Sequence, residues 1–304
     1  MILCQFKGGT PRSGTGYILV VMAATFWAAS GTAAKFLFES GLSPYQLVQL
    51  RTSIGAAVLT SFILLRKRHG LVFSRGDVRQ FLLLGVILAA AQFTYLSAIS
   101  KIPVAAAILL QYQAPVLIAL YSVLAGYQRL TAPLFCVLCG AVTGCFLMVG
   151  AYRLDVSVMN VEGIVTGLLS ALSFALYSLM SERHMKSRDP WLVLCLALVV
   201  AAFIWNLLHP PFEAFFHGLD SSLWLPILYV GIFGTVIPFG LYNEGIARIG
   251  ATRASITATL EPVMAGVLSF VVIGEVLEPV QIGGAGLVIV SIVFLQRSRR
   301  EERR

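Results

Sequence analysis

Residues 103–125 read PVAAAILLQYQAPVLIALYSVLA, and this stretch indicates the class of fold. None of its side chains is charged. An α-helix needs about 20 mainly apolar residues to cross the roughly 30 Å hydrocarbon core of a bilayer. The stretch is therefore predicted to be a membrane-spanning helix.

Apolar runs of similar length flank this one on both sides along the chain. The ten predicted spans cover residues 16–38, 44–66, 79–99, 103–125, 131–151, 161–181, 190–208, 223–246, 251–273 and 279–296. The connections between them are short, which leaves no room for a soluble domain. The sequence thus predicts an all-α membrane protein with ten transmembrane helices.

The composition excludes several other classes of protein. Of the 304 residues, 58% are hydrophobic and 12% are charged, whereas soluble domains average about 45–50% apolar and about 25% charged residues. So few charges exclude a disordered chain, a coiled coil and a nucleic-acid-binding domain, and they disfavour a soluble enzyme. The expected surroundings are the lipid bilayer.

The basic residues predict how the chain is oriented in the membrane. Cytoplasmic loops of membrane proteins collect Lys and Arg. With a cytoplasmic N-terminus, 18 of the 22 basic residues fall on the cytoplasmic side, and the others are Lys35, Arg51, Lys101 and Arg153. We expect a multi-pass protein of the cytoplasmic (inner) membrane with both termini in the cytoplasm.

The first apolar run also has features of a cleaved signal peptide, which is the competing interpretation. Ala28-Ala29-Ser30 resembles a cleavage site, but the apolar run continues to Phe38. A retained helix explains that continuation better.

The cysteines predict neither a metal site nor a redox pair. Cys136 and Cys139 have the spacing of a ligand pair, but they lie inside an apolar segment without a nearby histidine or second pair. We expect no metal and no cofactor.

An internal repeat divides the chain into two halves. A shift of 147 residues places Tyr95 on Tyr242 and Pro115 on Pro262. The predicted halves are residues 1–153 and 154–304, with five helices each. Because five is odd, the second half enters the membrane inverted, an architecture that recurs in transporters.

Three motifs give the chain a resemblance to a known family. They are Phe26-Trp27-Ala28, the run Gln111-Tyr112-Gln113-Ala114-Pro115-Val116, and Leu260-Glu261-Pro262-Val263 followed by Gly274-Glu275. The chain resembles the EamA-type family of the drug/metabolite transporter superfamily along essentially its whole length. The resemblance implies ten helices around a central cavity, alternating access, and export of metabolites or amino acids.

Two prolines are predicted to interrupt helices at matching positions of the halves. Pro115 and Pro262 each remove one backbone hydrogen bond and free the carbonyl four residues earlier, at Gln111 and Ala258. Such a carbonyl needs a partner or a wet cavity within the membrane. The breaks could line a substrate path, or they could be simple packing kinks.

Glu261 is the one carboxylate well inside a predicted span. A charge there costs about 2.5–3.5 kcal/mol on insertion scales, which makes a functional role the default hypothesis. Glu261 could bind protons that couple to export, or hold an ammonium group. Alternatively, a neutral Glu261 bridges the carbonyl that the proline frees.

Arg51 lies within the second predicted span. It could snorkel to the interface, bind a carboxylate or pair with an acid. The sequence favours a structural role over coupling, because Arg51 lies off the polar stripe of its helix, and charge pairing is one such role. That stripe consists of Gln46, Gln49, Ser53 and Thr60.

Polar and aromatic side chains on several spans are candidates for a substrate cavity, although each could instead hold helices together. The candidate cavity residues are Trp27, Gln92, Tyr95, Gln111, Tyr112, Tyr177, Tyr242 and Glu261. Spans one, three, four, six, eight and nine are expected to line the site.

These features predict a secondary transporter of a small organic metabolite, most simply an exporter of amino acids or related compounds. Coupling to protons through Glu261 and facilitated exchange both remain open. No nucleotide-binding motif, H-E-x-x-H or G-x-S-x-G motif is present, so no enzymatic activity is expected. The alternatives are a polytopic membrane enzyme and a channel or sensor. A ten-helix bundle does not require an oligomer.

Overall fold

The computed structural model describes residues 13–66, 75–155, 159–208, 213–216, 220–273 and 276–302. Of the residues named above, Gly274 and Glu275 lie outside this part of the chain. Every regular element within it is helical.

The described chain folds into helices of very different lengths. The α-helices are α1 (Ser13–Glu39), α2 (Pro44–Arg66), α3 (Arg75–Lys101), α4 (Val104–Gln111), α5 (Ala114–Leu124), α6 (Ala132–Met148), α7 (Val161–Met185), α8 (Pro190–Leu208), α9 (Glu213–Phe216), α10 (Trp224–Gly231), α11 (Ile237–Ile249), α12 (Ala251–Ala258), α13 (Glu261–Ile273) and α14 (Pro279–Glu302). Helices suit lipid because each satisfies its own backbone hydrogen bonds.

These helices form the ten predicted membrane spans. Within the described ranges, nine helical segments are long and apolar enough to cross a membrane, and α6 is a shorter apolar helix of 17 residues. The fifth span therefore ends earlier than its predicted limit of residue 151. It ends because Gly150 adopts a left-handed conformation with φ of 67° and begins a 3-10 turn, Ala151–Arg153.

Three of the spans are interrupted. The fourth span breaks between α4 and α5, and the ninth span breaks between α12 and α13. The eighth span contains a π-helical segment, Ile232–Val236, between α10 and α11. Pro115 and Pro262 predict the first two interruptions. The third was not predicted, although it also precedes a proline, Pro238, which has no N–H to donate to the Gly234 carbonyl.

The two halves make equivalent contacts at positions separated by 147 residues. A methyl group built on Gly16 would lie 2.7 Å from Ile249 Cγ2, and one built on Gly163 would lie 2.5 Å from Ile102 Cγ2. Each pair joins the first helix of one half to the third helix of the other. Accordingly, α1 packs on α11 and α7 packs on α3. These close contacts support the inverted repeat in three dimensions.

Small residues also bring α6 and α14 together. Methyl groups built on Gly144 and Gly284 would lie 2.9 Å and 2.8 Å from the other glycine's carbonyl oxygen. Close packing of this kind is typical of helices in membranes, where small residues let backbones approach. This pair of helices lies away from the crossings of α1, α3, α7 and α11.

Candidate functional site

A narrow central cavity lies where the broken helices of the two halves meet. Its volume is about 50 Å³. The sequence-predicted residues that line it are Trp27, Gln92, Tyr95, Gln111, Tyr112, Pro115 and Glu261. The second span also contributes, through Arg51. The cavity thus brings a basic and an acidic side chain from different halves to one site.

Arg51 is buried on the wall of this cavity, with 5% of its surface exposed. Its Nε donates to Thr235 Oγ1 at 2.9 Å, and its Nη2 donates to the Gly234 carbonyl at 3.1 Å. Both partners belong to the π-helical segment of the eighth span. No ion pair to Arg51 occurs among the residues that the structure describes. Arg51 is thus a buried cation held by neutral groups, which a bound carboxylate would complement.

Three residues of the polar stripe of α2 face α8, whereas Gln46 accepts a hydrogen bond from the Ser43 N–H at 2.9 Å. Gln49 Nε2 donates to Asn206 Oδ1 at 3.2 Å, and Asn206 Nδ2 donates to Ser53 Oγ at 2.9 Å. Thr60 lies 3.4 Å from the Cys195 sulfur. These contacts join two helices, and Arg51 lies off the stripe because it faces the cavity instead.

Two further polar groups on the cavity wall have no hydrogen-bond partner in the described part of the chain. Gln92 is 3% exposed, and both its amide nitrogen and its amide oxygen are unpaired. The Tyr95 hydroxyl, one turn along α3, is also buried and unpaired. A buried polar group without a partner is costly. These groups can therefore hydrogen-bond to water or to a solute in the cavity.

Glu261 is held by a tyrosine from the other half. The Tyr112 hydroxyl lies 2.7 Å from Glu261 Oε2 and 2.8 Å from the Ala258 carbonyl oxygen. Tyr112 follows the last residue of α4, and Glu261 is the first residue of α13. The carbonyl of Ala258 is the one that Pro262 frees, because proline has no N–H to donate to it. The two helix breaks therefore face each other across the cavity.

Aromatic rings form another wall of the site. The Trp27 ring lies 5.9 Å from that of Phe174 and 5.1 Å from that of Phe239, both nearly perpendicular to it. Phe174 and Phe239 also line the cavity. The sequence does not single out these two phenylalanines, because an aromatic residue in an apolar helix has the same pattern whether it faces lipid, a neighbouring helix or a cavity.

Tyr177 and Tyr242 lie behind the wall rather than on it. The Tyr177 hydroxyl donates to Asn243 Oδ1 at 3.1 Å, and the Tyr242 hydroxyl lies 3.0 Å from Ser178 Oγ. Both side chains are fully buried. Their hydroxyls connect α7 to α11, and the Tyr242 ring supports Trp27 at 5.3 Å. Pro262 likewise interrupts its helix without lining the cavity.

A wider vestibule of about 500 Å³ opens at the end of the bundle where α1 begins. Among the residues that surround it are Arg183, Gly250 and Thr252. Thr252 Oγ1 lies 3.5 Å from Ser122 Oγ. Ser255, three residues further along α12, lines the central cavity. The vestibule and the cavity are therefore about one helical turn apart.

Comparison with known proteins agrees with this architecture. The model of the EamA-like transporter family matches the chain twice, over residues 14–150 and 161–297. A solved crystal structure with 21% sequence identity superposes with a TM-score of 0.75 and covers 96% of this chain and 99% of its own. That likeness concerns the fold alone.

Curated relatives match over nearly their whole length. An uncharacterized transporter of Archaeoglobus fulgidus is 28% identical over 284 residues, which are 93% of this chain and 96% of the relative. The threonine/homoserine exporter RhtA of Escherichia coli is 27% identical, with 94% and 92% covered. The pseudopaline exporter CntI of Pseudomonas aeruginosa is 25% identical, with 94% and 97% covered. With two family matches that span both halves, the chain belongs to the EamA-like transporter family.

Proposed function

We propose that this transporter exports a small zwitterionic metabolite of the amino-acid class by alternating access. The observation that carries the proposal is the pair of opposite charges on one narrow cavity, Arg51 and Glu261. Arg51 would bind the carboxylate of the solute through its guanidinium, and Glu261 would hold the ammonium group. Gln92 and Tyr95 would donate to and accept from further polar atoms of the solute.

The size of the cavity supports a carrier rather than a pore. A volume of about 50 Å³ accommodates only a few water molecules. A solute of amino-acid size would enter only when the helices around the cavity move apart. The two halves, residues 1–153 and 154–304, would rock about the site, as inverted repeats do in other transporters.

The proposed direction, export, depends on the orientation of the bundle and on the proton gradient. If both termini lie on the cytoplasmic side of the inner membrane, the vestibule faces the cytoplasm. The solute would then enter the protein from the cytoplasm. Proton entry through Glu261 would then drive the solute outward. A fluorescent protein that folds only in the cytoplasm, fused after Arg304, should fluoresce. A dark but full-length fusion would contradict this orientation.

Counterflow in liposomes tests the substrate class. Purified protein would be reconstituted into vesicles loaded with unlabelled L-threonine, and the uptake of a trace of labelled L-threonine from outside would be measured. The panel would then extend to other amino acids, nucleosides, sugars and quaternary cations. We expect transient, saturable accumulation of amino acids alone. Failure with every amino acid, or currents that do not saturate, would overturn the proposal.

A further inference from the structure

When Glu261 is ionised, the contact between Tyr112, Glu261 and Ala258 has two acceptors and one proton to serve them. The Tyr112 hydroxyl is within hydrogen-bonding distance of a carboxyl oxygen of Glu261 and of the Ala258 carbonyl, at 2.7 Å and 2.8 Å. A hydroxyl has one proton to donate. If Glu261 is ionised, both neighbours are pure acceptors, and one of them is left without a donor.

Two occupants of the site would complete the set of hydrogen bonds. In the first case Glu261 is protonated and donates to the Tyr112 oxygen, while Tyr112 donates to the Ala258 carbonyl. In the second case Glu261 is ionised, Tyr112 donates to its carboxylate, and an added group donates to Ala258. That group must carry both an N–H or O–H donor and a positive charge, because an unpaired carboxylate is costly within a membrane.

We infer that a proton on Glu261 and the primary ammonium group of a solute are alternative occupants of this site. A primary ammonium has three N–H donors, so it can serve the Ala258 carbonyl and the Glu261 carboxylate together. When it binds, Glu261 releases one proton to water and the ammonium keeps its own. The net charge of the site stays the same. The inference rests on the proposed function and specifies its coupling and its ligand class.

The same reasoning disfavours quaternary ammonium ions at the site. A tetraalkylated nitrogen brings the charge but no N–H, so it cannot itself donate to the Ala258 carbonyl. The cavity has aromatic walls at Trp27, Phe174 and Phe239, which by themselves would attract a quaternary cation. A preference for a primary over a quaternary ammonium ion would therefore show that the site requires an N–H donor and not only a positive charge.

The other titratable groups that face Glu261 leave this competition intact. Tyr95 of α3 and Cys145 of α6 are its electrostatic neighbours besides Tyr112. The Cys145 sulfur donates to the Thr259 carbonyl at 3.5 Å. Arg51 of α2 lines the same cavity and contacts Thr235 and Gly234. In the described chain, Tyr112 is thus the one side chain that hydrogen-bonds to Glu261.

Proton release from the purified protein tests the inference directly. Methylammonium and tetramethylammonium would be added separately to weakly buffered wild-type protein near neutral pH, with a dye that reports protons. We expect about one proton released per protein with methylammonium, none with tetramethylammonium, and none with either in Glu261→Gln. Release by both cations, or by neither, would overturn the inference.

An infrared measurement separates the role of Tyr112 from a merely structural one. Wild-type protein without solute should show the carbonyl band of a protonated carboxylic acid, which Glu261→Gln lacks. Tyr112→Phe should shift the frequency of that band, since it removes the hydroxyl next to the acid. Tyr152→Phe is a matched control, because the Tyr152 hydroxyl also donates to a glutamate, Glu278, at 2.7 Å, but on an exposed turn. An unshifted band in Tyr112→Phe would contradict the proposed hydrogen bond.

The outcomes distinguish this inference from the proposed function. If L-threonine gives counterflow but tetramethylammonium releases protons as methylammonium does, the transporter handles amino acids without the donor requirement, and only the inference fails. If methylammonium alone releases a proton but no amino acid gives counterflow, the ammonium site stands and the substrate class is wrong.

Discussion

Tyr112 and Glu261 lie 2.7 Å apart although 149 residues separate them in the chain. One follows the last helical residue before the break of the fourth span, and the other begins the helix after the break of the ninth span. The hydrogen bond therefore ties the two weakened helices of the inverted halves to each other. Relative motion of the halves that widens the cavity would stretch or break this bond, so we expect the protonation state of Glu261 to influence the motion.

Replacing Glu261 with Gln should abolish the response of transport to pH. Glutamine has nearly the same shape and still hydrogen-bonds to Tyr112, but it cannot ionise. We expect exchange of solute at a reduced rate without stimulation by a proton gradient. Uptake in proteoliposomes with and without an imposed pH gradient measures this, and gradient-driven transport at the wild-type level would rule out coupling through Glu261.

Replacing Arg51 with Lys should weaken binding of the solute even though the charge is kept. The planar guanidinium of arginine can contact Thr235 and Gly234 and still offer N–H groups to a carboxylate. The single ammonium group of lysine cannot do both in the same geometry. Because hydrogen bonds to charged groups are worth about 1.5–3 kcal/mol, the loss in kcat/KM should be about 10- to 100-fold, mainly through KM.

A control for Arg51→Lys is available on α1. Lys35 is also a basic residue within a span, but it is exposed and lies 3.9 Å from Glu39. Lys35→Gln should leave the kinetics of solute exchange unchanged. Equal effects of the two substitutions would argue that Arg51 acts on the bundle as a whole rather than on the solute.

Replacing Gly234 with Ala should impair transport without a direct contact to the solute. The added methyl group would overlap the Ser30 side chain, whose Cβ would be 2.9 Å away. The π-helical backbone would have to shift, and with it the Gly234 carbonyl that binds Arg51. We expect a raised KM that the second substitution Ser30→Gly partly restores. If the double variant is as defective as Gly234→Ala alone, the crowding explanation is wrong.

Three glycines on α14 should respond differently to the same substitution. A methyl group on Gly284 would lie 2.6 Å from the Met148 nitrogen, whereas one on Gly283 or Gly286 would meet no atom within 4 Å. Gly284→Ala should destabilise the packing of α14 on α6 by about 1–3 kcal/mol. Thermal unfolding in detergent should show a lower midpoint for Gly284→Ala alone. Equal midpoints for all three variants would contradict the close contact.

The spans were predictable from the sequence because crossing a membrane imposes a length and a composition on each segment. The breaks before Pro115 and Pro262 were predictable as well, since a proline removes a particular hydrogen bond. The π-helical segment Ile232–Val236 also precedes a proline, Pro238, which frees the Gly234 carbonyl, but its π-helical form was not predictable. It depends on Thr235 and Gly234 meeting Arg51 from another helix, and no local pattern encodes such a tertiary contact.

The candidate site was predictable in part. A carboxylate or a break within a span is rare enough to be noticed, which singled out Glu261, Tyr112 and their neighbours. The role of Arg51 was harder to predict. The polar stripe lies on another face of the same helix, and the sequence does not say which neighbouring helix each face contacts. Tyr177 and Tyr242 carry the same side chain as Tyr95, and only the packing of α7 on α11 separates them from the cavity.

The inverted repeat has an energetic consequence. The contact of Gly16 with Ile249 recurs at the equivalent positions as Gly163 with Ile102, yet the positions equivalent to Arg51 and Glu261 are Leu198 and Ala114. If the halves were identical, a two-fold rotation about an axis in the membrane plane would relate the conformations open to either side, and their free energies would be equal. Because Arg51 and Glu261 have no charged counterpart in the other half, the two conformations should differ in free energy, and the empty protein should favour one of them.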